Sequence, residues 1–172
     1  MTILSSYVLL LGEADFSFTE SMVRGLQQNE SELTSWHVFS TCFDMIETAS
    51  DKYRTLPGTL KTLNKASKHM PHGGSVTVTF NIDAMTSPLH SLFSAVPTNT
   101  ATRTFDDIIF HFPHSGTEST TRNSGLVGHF AANALPCLTR PGGGLHISLS
   151  REQHERWNIQ DVMALHGLVK VE

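Results

Sequence analysis

The sequence predicts an α/β fold with a mainly parallel sheet and helices on both faces. Short apolar runs typical of buried strands alternate with longer segments of helical periodicity along the chain. This alternation implies right-handed crossovers between parallel strands. At 172 residues the chain can form one domain with a proper core, so we predict a single domain over residues 1–172.

The first predicted unit is a strand over residues 7–11, a glycine turn and a helix over residues 17–28. Five consecutive apolar residues are typical of a strand that is buried on both faces. Gly12 allows a sharp turn and a close approach of a ligand, and Ser17 or Thr19 can cap the helix. Such a unit opens many nucleotide-binding sheets, although an ordinary first unit without a ligand is the alternative.

Patterns of the same kind predict the remaining elements. Further strands are expected over residues 36–43, 75–81, 105–112 and 145–150, with a sixth beginning at 168–171. Helices are expected over residues 45–53, 59–70, 88–96, 123–138 and 157–166. Pro57 and Gly58 are expected to separate two helices, the second of which carries lysines on its outer face. Asn123 is expected to cap the helix that it begins.

Bulk composition excludes several classes of protein. The net charge of -4 is not that of a stand-alone nucleic-acid binder. No apolar run approaches the roughly 20 residues that span a bilayer, and residues 1–11 lack the basic region and cleavage site of a signal peptide. Cys42 and Cys137 make no disulfide framework, so we expect two buried free thiols.

Polar residues follow the predicted strands at corresponding positions. Because the carboxyl ends of parallel strands share one edge of a sheet, these residues are expected to lie close together. A single acid there is more often a turn or cap residue, but an acid after each of three strands favours a ligand site. The residues after strands one to four are Gly12, Glu13 and Asp15, then Asp44, then Asp83, and then His111 and His114.

The first turn does not suit a dinucleotide. Ala14 and Ser17 stand where the G-x-G-x-x-G pattern requires glycine, and the two carboxylates would repel a pyrophosphate. They suit a cationic ligand with hydroxyl and ammonium groups, such as S-adenosyl-L-methionine, which points to methyl transfer. Asp44 would then accept both ribose hydroxyls, and Asp83 would accept the adenine amino group.

Three stretches together resemble the methyltransferase domain of the 25S ribosomal RNA uridine-N3-methyltransferase family. They are residues 10–18 (LLGEADFSF), residues 105–116 (FDDIIFHFPHSG), and Asn123 with the helix that follows it. The resemblance covers nearly the whole chain. It implies a Rossmann-like class I fold, a ribosomal RNA substrate, and work in the nucleolus or nucleus, or else in the cytoplasm. The implied cofactor-binding residues are Gly12, Glu13, Ala14, Asp15, Phe16, Ser17, Asp44 and Asp83.

The chain departs from the family pattern at two positions and at one end. Ala14 stands where the family has glycine, which adds a methyl near the expected ligand and makes positive φ harder to reach. His111 stands where the family has asparagine, which changes the donors and acceptors beside the target atom. Class I methyltransferases usually end in an antiparallel hairpin, and we expect that hairpin to be reduced or truncated here.

The motif after strand four is the expected catalytic loop. The segment from His111 to His114 corresponds to an Asn/Asp-Pro-Pro-aromatic loop that, in amino-methyltransferases, binds the target nitrogen and stacks on its ring. Uridine N3 is a poor nucleophile while it is protonated, so a base or a set of donors must act first. His114 is the predicted proton acceptor, His111 could bind a uracil carbonyl, and Phe112 with Pro113 would shape the slot for the ring.

Other interpretations of the same residues remain. The two histidines could be solvated loop residues. Zinc is a further alternative, with His111, His114, His146 and Cys137 as ligands, but they lack the spacing of a zinc site; no metal is expected. The chain could also act on a protein or a small molecule, or be a non-catalytic module that keeps the fold. If RNA binds, contact is expected to be local, and four arginines could surround the active edge: Arg103, Arg122, Arg140 and Arg151.

Overall fold

A computed structural model describes residues 3–29, 33–95 and 104–170. Its strands are Leu4–Leu11 (β1), Thr34–Thr41 (β2), Ser75–Thr79 (β3), Asp107–His111 (β4) and Gly144–Ser148 (β5). Within the described residues they form one sheet in the order β3-β2-β1-β4-β5, and every pairing is parallel. The predicted α/β fold with a parallel sheet is therefore confirmed, and β1 and β4 are neighbours at the point where the strand order reverses.

Helices fill the connections between the strands. They are Ser17–Gln28 (α1), Ile46–Lys52 (α2), Leu56–Ser67 (α3), Thr120–Ala134 (α4), Arg151–Arg156 (α5) and Ile159–Ala164 (α6). Short 3₁₀ turns cover Pro71–Gly73, Leu89–Ala95 and Leu135–Cys137. Among the described residues, no helix is long and apolar enough to cross a membrane.

β1 lies in the centre of the sheet and is buried on both faces, as its apolar run predicts. Val8 and Leu10 pack on one side of the sheet with residues of α1, α2 and α3. Leu9 and Leu11 pack on the other side with residues of α4 and of the turn Leu89–Ala95. Successive side chains of a strand point to opposite faces, so an all-apolar run is what a central strand requires.

Two predicted helix starts were wrong. Pro57 and Gly58 do not separate the two helices but lie in the first turn of α3. The N–H that proline lacks would have no partner within the helix at that position. Asn123 does not cap α4, because Ser119 holds that place and its Oγ accepts from the amide N of Arg122 at 3.4 Å.

The C-terminal predictions were also wrong in part. The helix expected over 157–166 is the shorter α6, and a further helix that was not predicted, α5, precedes it. Asn158 separates the two, because its φ of 50° does not continue a helix. Trp157 is buried at this junction, against Val127 of α4. Residues 168–170 lie in no strand, and residue 171, where the sixth strand was also expected, is outside the described residues. Cys42 and Cys137 are buried free thiols, as expected.

Candidate active site

Backbone hydrogen bonds join the loops that follow β1, β2 and β3. The amide of Glu13, just after β1, donates to the carbonyl of Thr41 at the end of β2 (2.9 Å). The amide of Asn81, after β3, donates to the carbonyl of Asp44, after β2 (3.1 Å). The structure therefore brings the three strand ends together at one edge of the sheet, hereafter the carboxyl edge, as the strand order predicts.

Gly12 is required at the end of β1 for two reasons. Its φ of +70° is in the left-handed region, which a side chain disfavours. A Cβ at this position would lie 2.5 Å from Cε2 of Phe110, a residue of β4. Gly12 is itself exposed, so its bare backbone faces solvent directly beside β4.

Glu13 turns inward. Its side chain is only 8% exposed, and its Oε2 accepts from the amide and the hydroxyl of Thr19, both at 3.2 Å. The Thr19 hydroxyl also forms a hydrogen bond of 2.6 Å with Ser40 of β2. Burial raises the pKa of Glu13 despite the bonds from Thr19, and the charge of Asp15 raises it slightly further. The carboxylate thus satisfies an amide in the first turn of α1 and links that helix to β2.

Asp15 and Phe16 shape the turn from opposite sides. Asp15 accepts from the Thr55 hydroxyl at 2.7 Å and from the amide of Ser17 at 3.1 Å. The Thr55 bond is the main reason why the pKa of Asp15 is lowered. Phe16 has a φ of 59° and is fully buried, with its ring against Phe80 at a centroid distance of 5.4 Å. Phe16 thereby holds the turn on the hydrophobic core.

Ala14 and Ser17 are the exposed members of the same turn. The left-handed positions of the turn are Gly12 and Phe16, and Ala14 has no positive φ. The departure from the family glycine at Ala14 therefore causes no backbone strain. Its methyl group faces solvent rather than a packed neighbour.

The acids after β2 and β3 differ in how tightly they are held. Asp44 is paired with the half-exposed ammonium of Lys52, at 2.8 and 2.9 Å, and such surface pairs contribute little stability. Asp83 accepts from the amide of Met85 at 2.8 Å and from the Thr86 hydroxyl at 3.0 Å, both within its own turn. Asp44 is the acid more easily freed for a ligand, and the predicted adenine contact of Asp83 stays a prediction.

His111 ends β4 and faces the start of α1. Its Nδ1 forms a hydrogen bond of 2.6 Å with the hydroxyl of Ser148 on β5. Its Nε2 is buried without a partner among the described residues. The ring of Phe18 meets it edge-on at 4.2 Å. Burial lowers the pKa of His111, with a smaller contribution from His146. One ring nitrogen is therefore hydrogen-bonded, and the other is buried and unpaired within the described chain.

The next two residues place an aromatic ring in solvent. Phe112 has a φ of 48°, its amide donates to the carbonyl of Ser148 at 2.9 Å, and its side chain is 65% exposed. Left-handed backbone at a bulky residue persists only where its surroundings enforce it. Pro113, which follows, is buried. An exposed ring on a backbone fixed at both sides is a suitable platform for stacking.

His114 lies on the outer side of this loop. Its Nδ1 accepts from the amide of Gly116 at 3.0 Å, and its Nε2 lies 3.9 Å from a carboxylate oxygen of Glu118. Its ring is 6.3 Å from that of Trp157. The structure therefore brings His111, rather than His114, against the start of α1, and the role of His114 as a base stays a prediction.

Sequence reasoning missed two residues of this edge. Asn123 is almost fully buried in α4; its Oδ1 accepts from the amide of Ser115, and its Nδ2 donates to the carbonyl of Thr117, both at 2.9 Å. It thus fixes the loop after β4 to the helix. Phe18, in the first turn of α1, is 42% exposed and contacts His111. The Phe-Ser-Phe sequence offered a signal, since residues two apart at a helix start do not face the same side.

The structure bears on the zinc alternative and, in part, on the four arginines. Among the described residues, no three His, Cys, Asp or Glu side chains are placed to hold a metal ion. Arg122 and Arg151 do lie at the carboxyl edge, in the first turns of α4 and α5. Arg140 precedes β5 and so lies at the opposite edge of the sheet, and Arg103 falls outside the described residues.

The strand order, the glycine turn after β1 and the acids after β2 and β3 define a Rossmann-like fold of the methyltransferase type. Comparison with known families gives the particular group. The chain belongs to the BMT5-like family, described as rRNA (uridine-N3-)-methyltransferase BTM5-like, whose family model matches residues 9–172. This confirms the resemblance noted in the sequence.

Two relatives are similar to the chain over most of its length. Heavy metal-associated isoprenylated plant protein 41 of Arabidopsis thaliana is 27% identical, over 96% of this chain and 29% of that protein. Ferredoxin-fold anticodon-binding domain-containing protein 1 homolog of Mus musculus is 26% identical, over 94% of this chain and 24% of that protein. The chain thus spans less than a third of either relative. No solved structure matches it.

Proposed function

We propose that this chain is an S-adenosyl-L-methionine-dependent methyltransferase domain that methylates N3 of a uridine in large-subunit ribosomal RNA. The observation that carries the proposal is the contact between the exposed turn at Gly12 and the residues of β4. His111 has a buried Nε2 there, beside the start of α1, that has no hydrogen-bond partner among the described residues. Family membership supports the reaction class. A ribosomal RNA substrate would place the work of the domain in the nucleolus or nucleus.

The residues of the turn after β1 fit the proposed cofactor. Gly12 and Ser17 offer exposed backbone and a hydroxyl, and Asp44 has a carboxylate whose only ion-pair partner in the described chain is a half-exposed lysine. Freed from Lys52, Asp44 would accept both ribose hydroxyls. Glu13, with its inward carboxylate, would act by positioning α1. The cofactor, when bound, supplies an electrophilic methyl group.

The residues after β4 would bind the uracil ring. If the Ser148 hydroxyl donates to Nδ1 of His111, Nε2 carries the proton and can donate to a uracil carbonyl oxygen. The exposed ring of Phe112 would stack on the base, which must first be flipped out of a folded RNA. Pro113 keeps this platform fixed. Holding the ring in place supplies much of the rate enhancement.

Proton removal is the chemical demand that distinguishes uridine N3 from an amine. His114 is the proposed acceptor of the N3 proton. A general base of this kind contributes roughly a hundredfold or more to the rate. Because His114 is half-exposed and bonded only within its loop and to neighbouring side chains, its ring could turn toward a bound base without disturbing the core.

A transfer assay with methyl-labelled S-adenosyl-L-methionine tests the proposal. The purified chain is incubated separately with large-subunit ribosomal RNA, a protein extract and a pool of small metabolites, and labelled RNA is digested to nucleosides. Label in 3-methyluridine is the expected result. Label in the protein or metabolite fraction would instead support the second candidate, a different acceptor, which the net charge of -4 favours. A calorimetric titration without cofactor binding would indicate a non-catalytic module.

A further inference from the structure

Helix α3 carries a row of lysines that the proposed site does not use. Lys61 and Lys65 lie in the helix, and Lys68 is its C-cap residue, with a backbone that still has helical dihedral angles. Because they are spaced four and three residues apart, the three lie on one face. That face is opposite the one through which Leu56 and Leu63 enter the core. All three lysines are exposed, and none has an ion-pair partner in the described part of the chain. We call them the lysine row.

The lysine row concentrates positive charge on an acidic protein. Residues 52–82 contain five lysines and arginines and no aspartate or glutamate. The whole chain has 12 basic and 16 acidic side chains, so outside this segment the acidic ones outnumber the basic ones by nine. An ordinary solvated helix face mixes both signs, and a one-sided face gives a field that attracts a polyanion.

The helix that carries the lysine row begins next to the candidate active site, and Lys61 follows within two helical turns. Thr55, at the start of α3, donates its hydroxyl to Asp15 in the turn after β1. In a right-handed crossover the helix runs antiparallel to the strands, so α3 leads from the carboxyl edge down the side of the domain. Arg54 lies just before the helix and is exposed. A strand that enters the site at this edge would therefore pass along α3.

We propose that Lys61, Lys65 and Lys68 bind the phosphate backbone of the RNA strand whose uridine enters the active site. That the strand is the methyl acceptor rests on the proposed function. Three lysines within two helical turns span about 10 Å, which matches roughly three phosphates of one strand. No large apolar residue is exposed on α3 among the described residues, as a membrane-binding helix would require.

Binding of a fluorescein-labelled oligouridylate, measured without cofactor, tests the lysine row independently of catalysis. The log–log slope of affinity against salt, taken from about 50 to 200 mM, should be near -2 for roughly three phosphates on a single strand. A Lys61→Gln/Lys65→Gln variant should lose about 1.4 of that slope and bind roughly tenfold more weakly. A Lys61→Arg/Lys65→Arg variant should keep both. Gln and Arg are good helix formers, so the fold should persist.

An Arg140→Gln/Arg156→Gln variant is the charge-matched control, and it should bind like the original chain. Four results would overturn the proposal: no RNA binding by the original chain, an unchanged slope in the lysine-to-glutamine variant, an equal loss in the control, or lysine-dependent binding to phosphatidylserine vesicles but not to RNA. If the chain transfers no methyl group but its salt slope of RNA affinity still depends on the lysines, the proposal that the lysine row binds RNA stands. In that case only the proposed reaction would be wrong.

Discussion

Replacing Glu13 by alanine should destabilise the fold markedly, although Glu13 lies in an apparent ligand loop. The substitution leaves the buried amide of Thr19 without its acceptor, while the Thr19 hydroxyl keeps its hydrogen bond with the Ser40 hydroxyl. A lost helix-start bond together with an unsatisfied buried N–H costs about 2–3 kcal/mol. For a chain of this size that lowers the melting temperature by roughly 4–12 °C. Thermal unfolding followed by circular dichroism at pH 7 measures it.

The Glu13→Gln variant separates the hydrogen bond from the charge. An amide oxygen can still accept from Thr19, but nothing is ionised. Burial raises the pKa of Glu13 above its usual value near 4.5. The carboxyl therefore stabilises the fold fully below that value, and this contribution is lost as the pH rises through the raised pKa. Relative to the original chain, the Glu13→Gln variant should melt progressively higher as the pH is raised from about 4.5 to 7.

Glu20→Gln is the matched control, since Glu20 lies in the same first turn of α1 but forms a surface pair with Arg24. Its melting temperature should stay close to that of the original chain. The reasoning is refuted if Glu13→Ala melts like the original chain. It is equally refuted if Glu13→Gln loses as much stability as Glu13→Ala at pH 7, because the charge itself would then be needed.

Three further predictions concern the active site. Asp44→Ala should weaken binding of S-adenosyl-L-methionine by about 1.5–3 kcal/mol in calorimetry, while Lys52→Ala should not weaken it; equal affinities for Asp44→Ala and the original chain would remove Asp44 from the site. His114→Ala should lower turnover by about a hundredfold with cofactor affinity unchanged. Full turnover by His114→Phe would mean that His114 is not the base and that His111 or backbone amides stabilise the uridine anion instead. Gly12→Ala should cost about 1–2 kcal/mol of stability from its positive φ alone, and a melting temperature equal to that of the original chain would contradict the strain inferred from its φ.

The sheet and its carboxyl edge were predictable because both depend on local patterns. Strand periodicity is enough to predict β1 from its apolar run. The positions of Asp44 and Asp83 follow because the carboxyl ends of parallel strands share one edge of the sheet. What sequence could not give was the direction of each side chain. Glu13 turns inward because Thr19 and Ser40, on two different elements, offer it partners.

The same limit applies to the two histidines of the loop after β4, His111 and His114. They are three residues apart, and the family resemblance favoured His114. Which one faces α1 depends on the left-handed backbone at Phe112, where the chain turns sharply. Positive φ at phenylalanine has no sequence signature, in contrast to positive φ at glycine. The bond from Nδ1 of His111 to Ser148 likewise joins residues 37 apart in the chain.

Ser148 makes the outermost strand part of the proposed chemistry. Its hydroxyl holds the ring of His111, and its carbonyl accepts the amide of Phe112. Both bonds exist only because His111 and Ser148 are directly opposite in the pairing of β4 with β5. A slip of β5 by one residue would turn the hydroxyl to the other face of the sheet and release both aromatic residues together. The alignment of β5 therefore decides whether the two residues proposed to bind the uracil ring are held in place.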